Sequence, residues 1–271
     1  MKAGHVLTPA ECAGLIAGSR RIVALTGAGI STAAGIPDFR GPKGLYVTRR
    51  YDPWRVFDID GFHHDPVYFY EFARDFVTMA RDIRPTFTHN FLVALERQGK
   101  LAGIATQNID LLHQQAGGSS VVEIHGSYGA AACTGCDRKY RQLRYEWWDE
   151  AMRESRRPPI AFCRQCGGVL KPDIVFFGEP VTAYDAAEEL VASCDLLLVL
   201  GSSLSVTPAS RLPYCTAATT IVVNRGAVML GASGRRHVVD ADLDHYFTGV
   251  AAALRGQGAT ADGDEEGISP R

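Results

Sequence analysis

The sequence predicts an α/β fold in which helices cover both faces of a parallel sheet, with a smaller domain inserted into it. Short apolar segments alternate with helical patterns along much of the chain, and such alternation is typical of parallel sheets. A glycine-rich turn follows the first apolar segment, Ile22 to Leu25, as it does in nucleotide-binding folds. Two stretches, residues 42–84 and 131–170, leave the alternation and return to it. We therefore expect a Rossmann-like domain and a small domain built from the two insertions.

Capping signals and apolar runs predict the individual elements. The first helix begins at the capping box of Thr8 to Glu11 and ends near Gly18. The other predicted helices are Asp65 to about Ile83, about Thr88 to Arg97, Leu111 to Gln115, Ala183 to Ala192, Pro208 to Thr216 and Leu243 to Leu254. The predicted strands are Ile22 to Leu25, Leu101 to Thr106, Val121 to Ile124, Asp173 to Phe177, Leu196 to Leu200, Thr220 to Val223 and His237 to Val239.

These elements divide the chain into predicted domains. Residues 1–41, 85–130 and 171–255 are assigned to the Rossmann-like domain. Residues 42–84 are assigned to a helical module, and residues 131–170 to a cysteine-bearing module. The tail, residues 256–271, is rich in glycine and acidic residues and has almost no large apolar side chain, which predicts disorder.

Composition excludes several classes of protein. The chain has 271 residues, 46% hydrophobic residues and a formal net charge of −2, so we expect no direct binding to nucleic acid and no membrane attachment. No apolar run approaches the roughly 20 residues that span a bilayer. The start, Met1 to His5, lacks the apolar core of a signal peptide. We therefore expect a cytoplasmic protein, and a monomer.

The stretch from Ile22 to Gly41 is similar to a dinucleotide fingerprint but departs from it. Gly27 and Gly29 fit the Gly-x-Gly-x-x-Gly pattern, whereas Thr32 stands at the third glycine. The ribose-binding acid that follows by about 20 residues in dehydrogenases is missing between Lys43 and Arg50. A helix starting near Ser31 would point free N–H groups at a phosphate. The pattern therefore predicts a dinucleotide site that is used in an unusual way.

The seven cysteines include two C-x-x-C pairs in the second insertion. Cys133 and Cys136 are followed, after 26 residues, by Cys163 and Cys166. Four thiolates in this arrangement predict one tetrahedral Zn²⁺, and a closed set of four predicts a structural rather than a catalytic metal. The gap exceeds the roughly 15–20 residues of common zinc ribbons. A redox role for either pair is the alternative, and two pairs bracketing one insertion favour the shared metal.

Polar residues follow several predicted strands at the carboxyl edge of the sheet, where ligands of such folds bind. Gln107, Asn108 and Asp110 follow one strand, although Asn108 or Asp110 could instead cap the next helix. His125 ends another strand beside a glycine and is a candidate general base. His113 is its rival, but its position within a helix predicts a packed side chain. The same edge receives Gly201, Ser202 and Ser203 after one strand and Asn224 after another.

These motifs together resemble those of the sirtuins. The segments GAGISTAAGIPDFRG, TQNID, HG, KPDIVFFGE and GSSLSVTPAS, with the two C-x-x-C pairs, occur in the sirtuin order between about Pro9 and Leu254. The resemblance implies an NAD-dependent protein-lysine deacylase. It also implies a Rossmann-like domain with a small domain made of a helical module and a zinc-ribbon module.

The resemblance also implies roles for individual residues. His125 would be the catalytic base, and Asn108 and Asp110 would act at the nicotinamide. The implied contacts to NAD are Gly27, Ala28, Gly29, Ser31, Ala33, Asp38, Phe39, Arg40, Gln107, Asn108, Ile109, Asp110, Gly201, Ser202, Ser203 and Asn224. The implied contacts to the acyl-lysine peptide, bound as an added strand between the domains, are Val175, Phe176, Gly178, Glu179, Leu204, Ser205 and Val206.

The implied reaction consumes NAD as the acyl oxygen attacks the ribose and nicotinamide leaves. The products are nicotinamide, O-acyl-ADP-ribose and free lysine. The branch that prefers acidic acyl groups typically has a Gly-Leu-Trp run where this chain has Gly44-Leu45-Tyr46, and it usually lacks an acid at Asp38. The pattern through Pro66 and Phe72 looks more like the deacetylase branch. The alternatives are transfer of ADP-ribose to proteins, preference for other acyl chains, and a binding module without turnover.

Overall fold

The computed structural model describes residues 6–37, 50–154, 158–231 and 234–261, the last five of them by backbone alone. The strands in this part of the chain are β1 (Ile22–Thr26), β2 (Leu101–Thr106), β3 (Val121–Glu123), β4 (Gly126–Cys133), β5 (Lys139–Arg141), β6 (Leu170–Ile174), β7 (Leu196–Leu200), β8 (Thr219–Asn224) and β9 (Arg236–Asp240). The α-helices are α1 (Pro9–Gly18), α2 (Pro53–Val56), α3 (Ile59–His64), α4 (Val67–Ala80), α5 (Phe87–Arg97), α6 (Leu112–Gln115), α7 (Tyr145–Glu154), α8 (Tyr184–Ala192) and α9 (Leu243–Ala261).

Six strands form a parallel sheet in the order β3-β2-β1-β7-β8-β9. Every residue of β1 and of β7 is buried, which explains their uninterrupted apolar sequences. The chain extends the sheet in one direction from β1 to β3 and in the other from β7 to β9. The gap between β1 and β7 is therefore the topological switch point, where ligands bind in open α/β sheets.

Helices cover both faces of this sheet, as predicted. Ile22 and Ala24 face one core, which includes side chains of α1, α5 and α9. Val23 and Leu25 face the other core, which includes side chains of α8. This alternation follows from the two-residue period of the side chains along a strand.

The small domain combines helices α2, α3, α4 and α7 with an antiparallel sheet of order β5-β4-β6. Its core is aromatic, with Trp148, Tyr70 and Tyr128 fully buried. The aromatic residues of the predicted helix Asp65 to Ile83 thus pack as expected, within α4. Both β4 and β6 cross the predicted limits of module 131–170, so the predicted domain boundaries remain a proposal.

Three expectations about individual elements are wrong. No long helix starts at Ser31: the described chain forms two short 3₁₀ turns, Ala28–Ile30 and Thr32–Ala34. The strand predicted at Asp173 to Phe177 is β6, which begins at Leu170 and pairs antiparallel in the small sheet. The alternating apolar residues do mark a strand with one buried face. That face, with Ile174 and Phe176, is buried in the small-domain core and not against the parallel sheet.

The last helix is the third correction. It runs to Ala261, so residues 256–261 of the predicted disordered tail are helical, whereas residues 262–271 lie outside the described chain. The segment has two glycines beside its two alanines, so it continues the preceding helix without a strong helix preference of its own, and the predicted limit at Leu254 followed only the last large apolar side chain. A bilayer-spanning helix is not found in the described part of the chain.

Candidate functional site

Most of the predicted NAD-contacting residues that the structure describes follow the carboxyl ends of β1, β2, β7 and β8, around the switch point, while His125 follows β3 and Val175 to Glu179 follow β6. Two turns meet there, one after β1 and one after β7. The Gly27 N–H donates to the Leu200 carbonyl oxygen (3.0 Å), and the Gly29 N–H donates to that of Gly201 (2.9 Å). A Cβ on Gly29 would lie 2.7 Å from the Cα of Gly201. These glycines are therefore required by the contact between the two turns, in addition to any contact with a ligand.

Replacing Gly201 by alanine should destabilise the fold strongly. Gly201 has φ +64° and a Cβ there would lie 2.3 Å from the Ile30 nitrogen, whereas Gly226 has φ +81° and nothing within 4 Å. Gly226→Ala should cost only the roughly 1–2 kcal/mol of a left-handed residue, and Gly201→Ala about 1–3 kcal/mol more for the clash. Denaturant unfolding of both variants measures the difference, and equal losses would contradict the close contact.

Ser31, Asn108 and Asp110 form a buried polar cluster beneath the first turn. The Ser31 hydroxyl donates to Asp110 Oδ2 (2.6 Å), and Asn108 Nδ2 lies 3.2 Å from both the Gly27 carbonyl oxygen and Ser31 Oγ. All three side chains are buried. Two strand ends and the glycine-rich turn are thereby joined by side-chain hydrogen bonds.

The Asp110 carboxylate accepts one hydrogen bond from the start of a helix and one from the glycine-rich turn. Its Oδ1 accepts from the Leu112 N–H (3.0 Å) at the start of α6, while its Oδ2 binds Ser31. Burial raises the pKa of the Asp110 carboxyl, and the hydrogen bonds from Ser31 and Leu112 oppose that rise. A buried carboxyl with a raised pKa that is held by neutral donors is a candidate functional group.

Gln107 and His125 lie at the same edge. Gln107 Nε2 donates to Ser202 Oγ (2.9 Å), and Ser202 Oγ accepts from the Leu204 N–H (3.2 Å). The His125 Nδ1 atom lies 3.1 Å from the Gln107 carbonyl oxygen. Because a carbonyl oxygen only accepts, the neutral imidazole carries its proton on Nδ1 and leaves Nε2 free as a base.

Burial sets the protonation state of His125. Desolvation lowers the pKa of the half-buried imidazole, and its hydrogen bond to the Gln107 carbonyl partly opposes that fall. A lowered pKa keeps the ring neutral at physiological pH. His113, by contrast, is buried to 1% exposure, as expected for a packed side chain.

The segment after β6 is tied both to the site and to the helical module. The Val175 N–H donates to the His125 carbonyl oxygen (2.9 Å), and the Phe176 N–H donates to Glu179 Oε2 (2.8 Å). Phe177 forms an isolated parallel bridge with Asp58. The sequence analysis missed Lys171, whose Nζ lies 2.8 Å from Glu179 Oε2. The lysine of KPDIVFFGE was the available signal.

The remaining predicted contacts are arranged less tightly. Ser203 Oγ lies 2.9 Å from Ser205 Oγ, and Asn224 Nδ2 donates to the Arg225 carbonyl oxygen (2.9 Å). Leu204 is buried with φ 54° and Val206 is exposed. Ala28 and Ala33 lie in the two 3₁₀ turns, Ile109 packs against the small-domain core, and a Cβ on Gly178 would lie 2.8 Å from Ile59 Cγ2. Asp38, Phe39 and Arg40 lie outside the described residues.

The four cysteines of the two C-x-x-C pairs come together. Their Sγ atoms all lie within 4.8 Å of one another, and the Cys136–Cys163 pair is 3.8 Å apart. Tetrahedral Zn–S bonds of about 2.3 Å place sulfur atoms about 3.8 Å apart. The cluster therefore fits one zinc ion held by Cys133, Cys136, Cys163 and Cys166, with no position left for a substrate.

Relatives of known class share most of the chain. The model of the Sir2 family matches residues 27–208. The chain is 40% identical over 250 residues to NAD-dependent protein deacetylase 1 of Pyrobaculum aerophilum, covering 91% of this chain and 89% of that protein. It is also 40% identical over 248 residues to NAD-dependent protein deacylase 2 of Archaeoglobus fulgidus, covering 90% and 92%.

Solved structures agree with this. A structure described as the basis for the mechanism and regulation of Sir2 enzymes superposes with a TM-score of 0.80 and 35% identity, covering 92% of this chain and 98% of that one. A histidine-to-alanine Sir2 variant with a deacetylated p53 peptide and 3′-O-acetyl ADP ribose superposes at 0.79 and 35% identity, covering 93% and 98%. With the site geometry and the sulfur cluster described above, these matches show that the chain belongs to the Sir2 family, the sirtuins.

Proposed function

We propose that this protein is an NAD-dependent protein deacetylase that removes acetyl groups from lysine side chains of proteins. The observation that carries the proposal is the convergence of the Ser31–Asn108–Asp110 cluster and His125 Nε2 on one edge of the sheet. The relatives named NAD-dependent protein deacetylases and the Sir2 structure with an acetyl ADP ribose support it. NAD supplies the ADP-ribosyl group that receives the acetyl group, and nicotinamide leaves.

The buried polar groups fit NAD as a reactant. Asp110, Asn108 and Ser31 would hold the nicotinamide end, where an amide offers both donors and acceptors. Gln107 would contact the adjoining ribose, and Ser202, Ser203 and Asn224 the adenosine half. The turn from Gly27 to Ser31 would lie against the pyrophosphate with the Ala28 N–H as the candidate donor, because the N–H groups of Gly27 and Gly29 already donate to carbonyl oxygens where the second turn begins. The missing ribose acid of the dehydrogenases fits a site whose cofactor is cleaved at the sugar.

His125 would accept a proton at Nε2 from a ribose hydroxyl. Its Nδ1–H is held by the Gln107 carbonyl, which orients the ring and fixes the tautomer. The lowered pKa favours the neutral form that a base requires. Gln107 would then position the base through its backbone and the ribose through its side chain.

The acetyl-lysine peptide would lie as an added strand between Val175–Glu179 and Leu204–Val206. Glu179 holds the first segment in shape, because its carboxylate accepts from the Phe176 N–H and pairs with Lys171. The half-buried Lys171 ammonium also donates to the Ile174 carbonyl oxygen (2.8 Å). These contacts would hold the segment from Lys171 to Glu179 in a fixed conformation beside the peptide.

A wider acyl range is the second candidate, because one relative at 40% identity is named a deacylase. Transfer of ADP-ribose to proteins is the remaining alternative. The protein is further proposed to be cytoplasmic and monomeric, without direct contact to nucleic acid.

Incubation with NAD and an acetyl-lysine peptide tests the proposal. We expect the peptide to lose the mass of one acetyl group while nicotinamide and O-acetyl-ADP-ribose appear in equal amounts, all followed by mass spectrometry. Parallel reactions with a longer-chain and with an acidic acyl peptide measure the acyl range. Nicotinamide release with an unchanged acetyl-peptide, or ADP-ribose added to protein, would overturn the deacetylase proposal.

A further inference from the structure

Two histidines outside the reacting groups are buried side by side beneath the site. His89 lies in α5 and His113 in α6, with ring centroids 4.7 Å apart. Burial lowers the pKa of His89 to about 4, with Asp244 opposing that fall, and lowers the pKa of His113 well below its usual range. Both rings are therefore neutral, and each carries a single proton on one of its two nitrogens.

Hydrogen bonds fix the position of the His89 proton. Its Nδ1 accepts from the Thr86 backbone N–H (3.3 Å) in the capping box of α5. A neutral ring that accepts at Nδ1 carries its proton at Nε2. His89 Nε2 is buried and finds no partner among the described side chains and backbone groups, so a donor is left facing the packed interior.

The matching acceptor belongs to the adjacent ring. His113 Nδ1 is likewise buried without a partner in the described part of the chain, whereas His113 Nε2 lies 2.9 Å from Thr26 Oγ1. Buried polar groups are nearly always paired. One buried water that accepts from His89 Nε2–H and donates to His113 Nδ1 would satisfy both atoms, and the proton of His113 would then lie at Nε2.

A single direction of donation then runs to the site. His113 Nε2–H donates to Thr26 Oγ1, which donates to Thr106 Oγ1 (2.8 Å), and Thr106 Oγ1 accepts from the Asn108 N–H (3.1 Å). In the reverse direction both histidines would donate to the bridging water, and the proton of His113 would lie at Nδ1, which distinguishes the two directions experimentally. The chain of hydrogen bonds thus ends on the backbone of a residue in the nicotinamide-side cluster.

The same network brackets the glycine-rich turn. Thr26 immediately precedes Gly27, and at the other end the Thr86 hydroxyl lies 2.8 Å from His89 Nδ1 and 3.3 Å from the Ile30 carbonyl oxygen. The turn's two ends are therefore linked through the two imidazoles. With a water between the imidazoles the network would be connected throughout, and a connected buried network specifies one arrangement of the groups that it joins.

We propose that His89 and His113 are positioning residues, which hold Asn108 and the turn from Gly27 to Ile30 in the geometry that the reaction with NAD requires. The consequence for activity rests on the proposed function. The proton positions do not, and can be measured without turnover.

Nitrogen-15 NMR of the histidine side chains tests the proton positions in the full-length protein. We expect the signals of two imidazoles that stay neutral from pH 8 to pH 5 and are protonated at Nε2. One of these signals should disappear in His89→Gln and the other in His113→Gln. Titration of either ring within this range, or a proton on His113 Nδ1, would overturn the network.

Steady-state kinetics of two variants at Thr106 test the role of the network in catalysis, because neither variant removes an imidazole. Thr106→Val removes the acceptor for the Asn108 N–H, and Thr106→Ser retains it. We expect kcat for deacetylation and for nicotinamide exchange to fall about 10- to 100-fold in Thr106→Val, the scale of a small misplacement of reacting groups, with the peptide KM unchanged and with recovery in Thr106→Ser.

Thr220→Val is the matched control, because Thr220 is equally buried in the same sheet but lies near the amino end of β8, away from the site. An equal fall in kcat for Thr220→Val and Thr106→Val would overturn the positioning role. A wild-type protein without NAD-dependent turnover would refute the proposed function, while the NMR result would still decide the network.

Discussion

Replacing His125 by alanine should lower the rate of deacetylation by about 10²–10⁴-fold, the usual contribution of a general base. The imidazole lies at the carboxyl edge of the sheet, just after β3, with Nδ1 held by the Gln107 carbonyl and Nε2 free. No other described histidine offers a free, neutral nitrogen at this edge, since His113 is buried within the network beneath it. Loss of His125 therefore leaves the ribose hydroxyl without a base.

The pH dependence follows from the direction of the pKa shift. Burial lowers the pKa of His125 below its ordinary value of 6.5, so the acidic limb of the kcat/KM profile should lie below pH 6.5. The base is neutral, and active, above its pKa in the folded protein and is lost as the pH falls through it. In His125→Ala the residual rate should lose this limb.

His245→Ala is the matched control, because His245 is exposed on α9, and it should retain the wild-type rate and profile. Steady-state rates with NAD and an acetyl-lysine peptide across pH 5 to 8 supply the measurement. Full turnover in His125→Ala, or an acidic limb above pH 6.5 in the wild type, would show that another group is the base. Nicotinamide exchange would show whether the loss precedes or follows nicotinamide release.

The sequence predicted the parallel sheet well because its central strands are buried on both faces. An uninterrupted apolar run as short as Leu196–Leu200 favours a strand that is covered on both sides, and the capping box at Thr8 marks the first helix directly. The predicted strand at Asp173 was misplaced because the apolar pattern of an edge segment does not reveal which sheet it joins. Only the pairing of Gly126 with Ile174 decides that.

The candidate site was predictable to the extent that strand ends meet at one edge. Gln107, Asn108, Asp110 and His125 were found because they follow strands whose carboxyl ends must converge. The role of the glycines was not predictable, because the contact of Gly29 with Gly201 joins positions far apart in sequence. The threonines of the buried network were missed for the same reason, since a threonine that ends a strand is ordinary until its partner is known.

Removal of the zinc ion should unfold the small domain and abolish activity. Structural zinc in small modules contributes about 10–16 kcal/mol to folding at neutral pH. Here the sulfur cluster joins Cys133, at the end of β4, to the two cysteines that precede β6. Cys133 pairs with Leu170 in the sheet. The metal and the backbone pairing therefore hold together the same end of β4 and β6.

The opposite end of that strand pair bears the site. Gly126 pairs with Ile174, which places His125 just before one strand and Val175 just after the other. Between the same two ends β6 has four residue steps, Leu170 to Ile174, which span about 13 Å at 3.3 Å per residue, and β4 takes up three additional residues at the irregularity between Ser127 and Ala131. The metal is therefore too distant to contact the proposed reacting groups, and it acts by holding the strands that carry the proposed base and the proposed peptide-binding segment.

Cys136→Ser tests this against Cys215→Ser, because Cys215 is a partly exposed thiol outside the cluster. We expect purified protein to hold one zinc per chain by metal analysis, and Cys136→Ser to lose the metal, the cooperative unfolding of the small domain and the NAD-dependent turnover. Cys215→Ser should keep all three. Because β4 and β6 present His125 and Val175 at their far ends, a metal-free protein with unchanged unfolding and turnover would mean that the aromatic core around Trp148 suffices to hold the strands, and the structural role of zinc would be wrong.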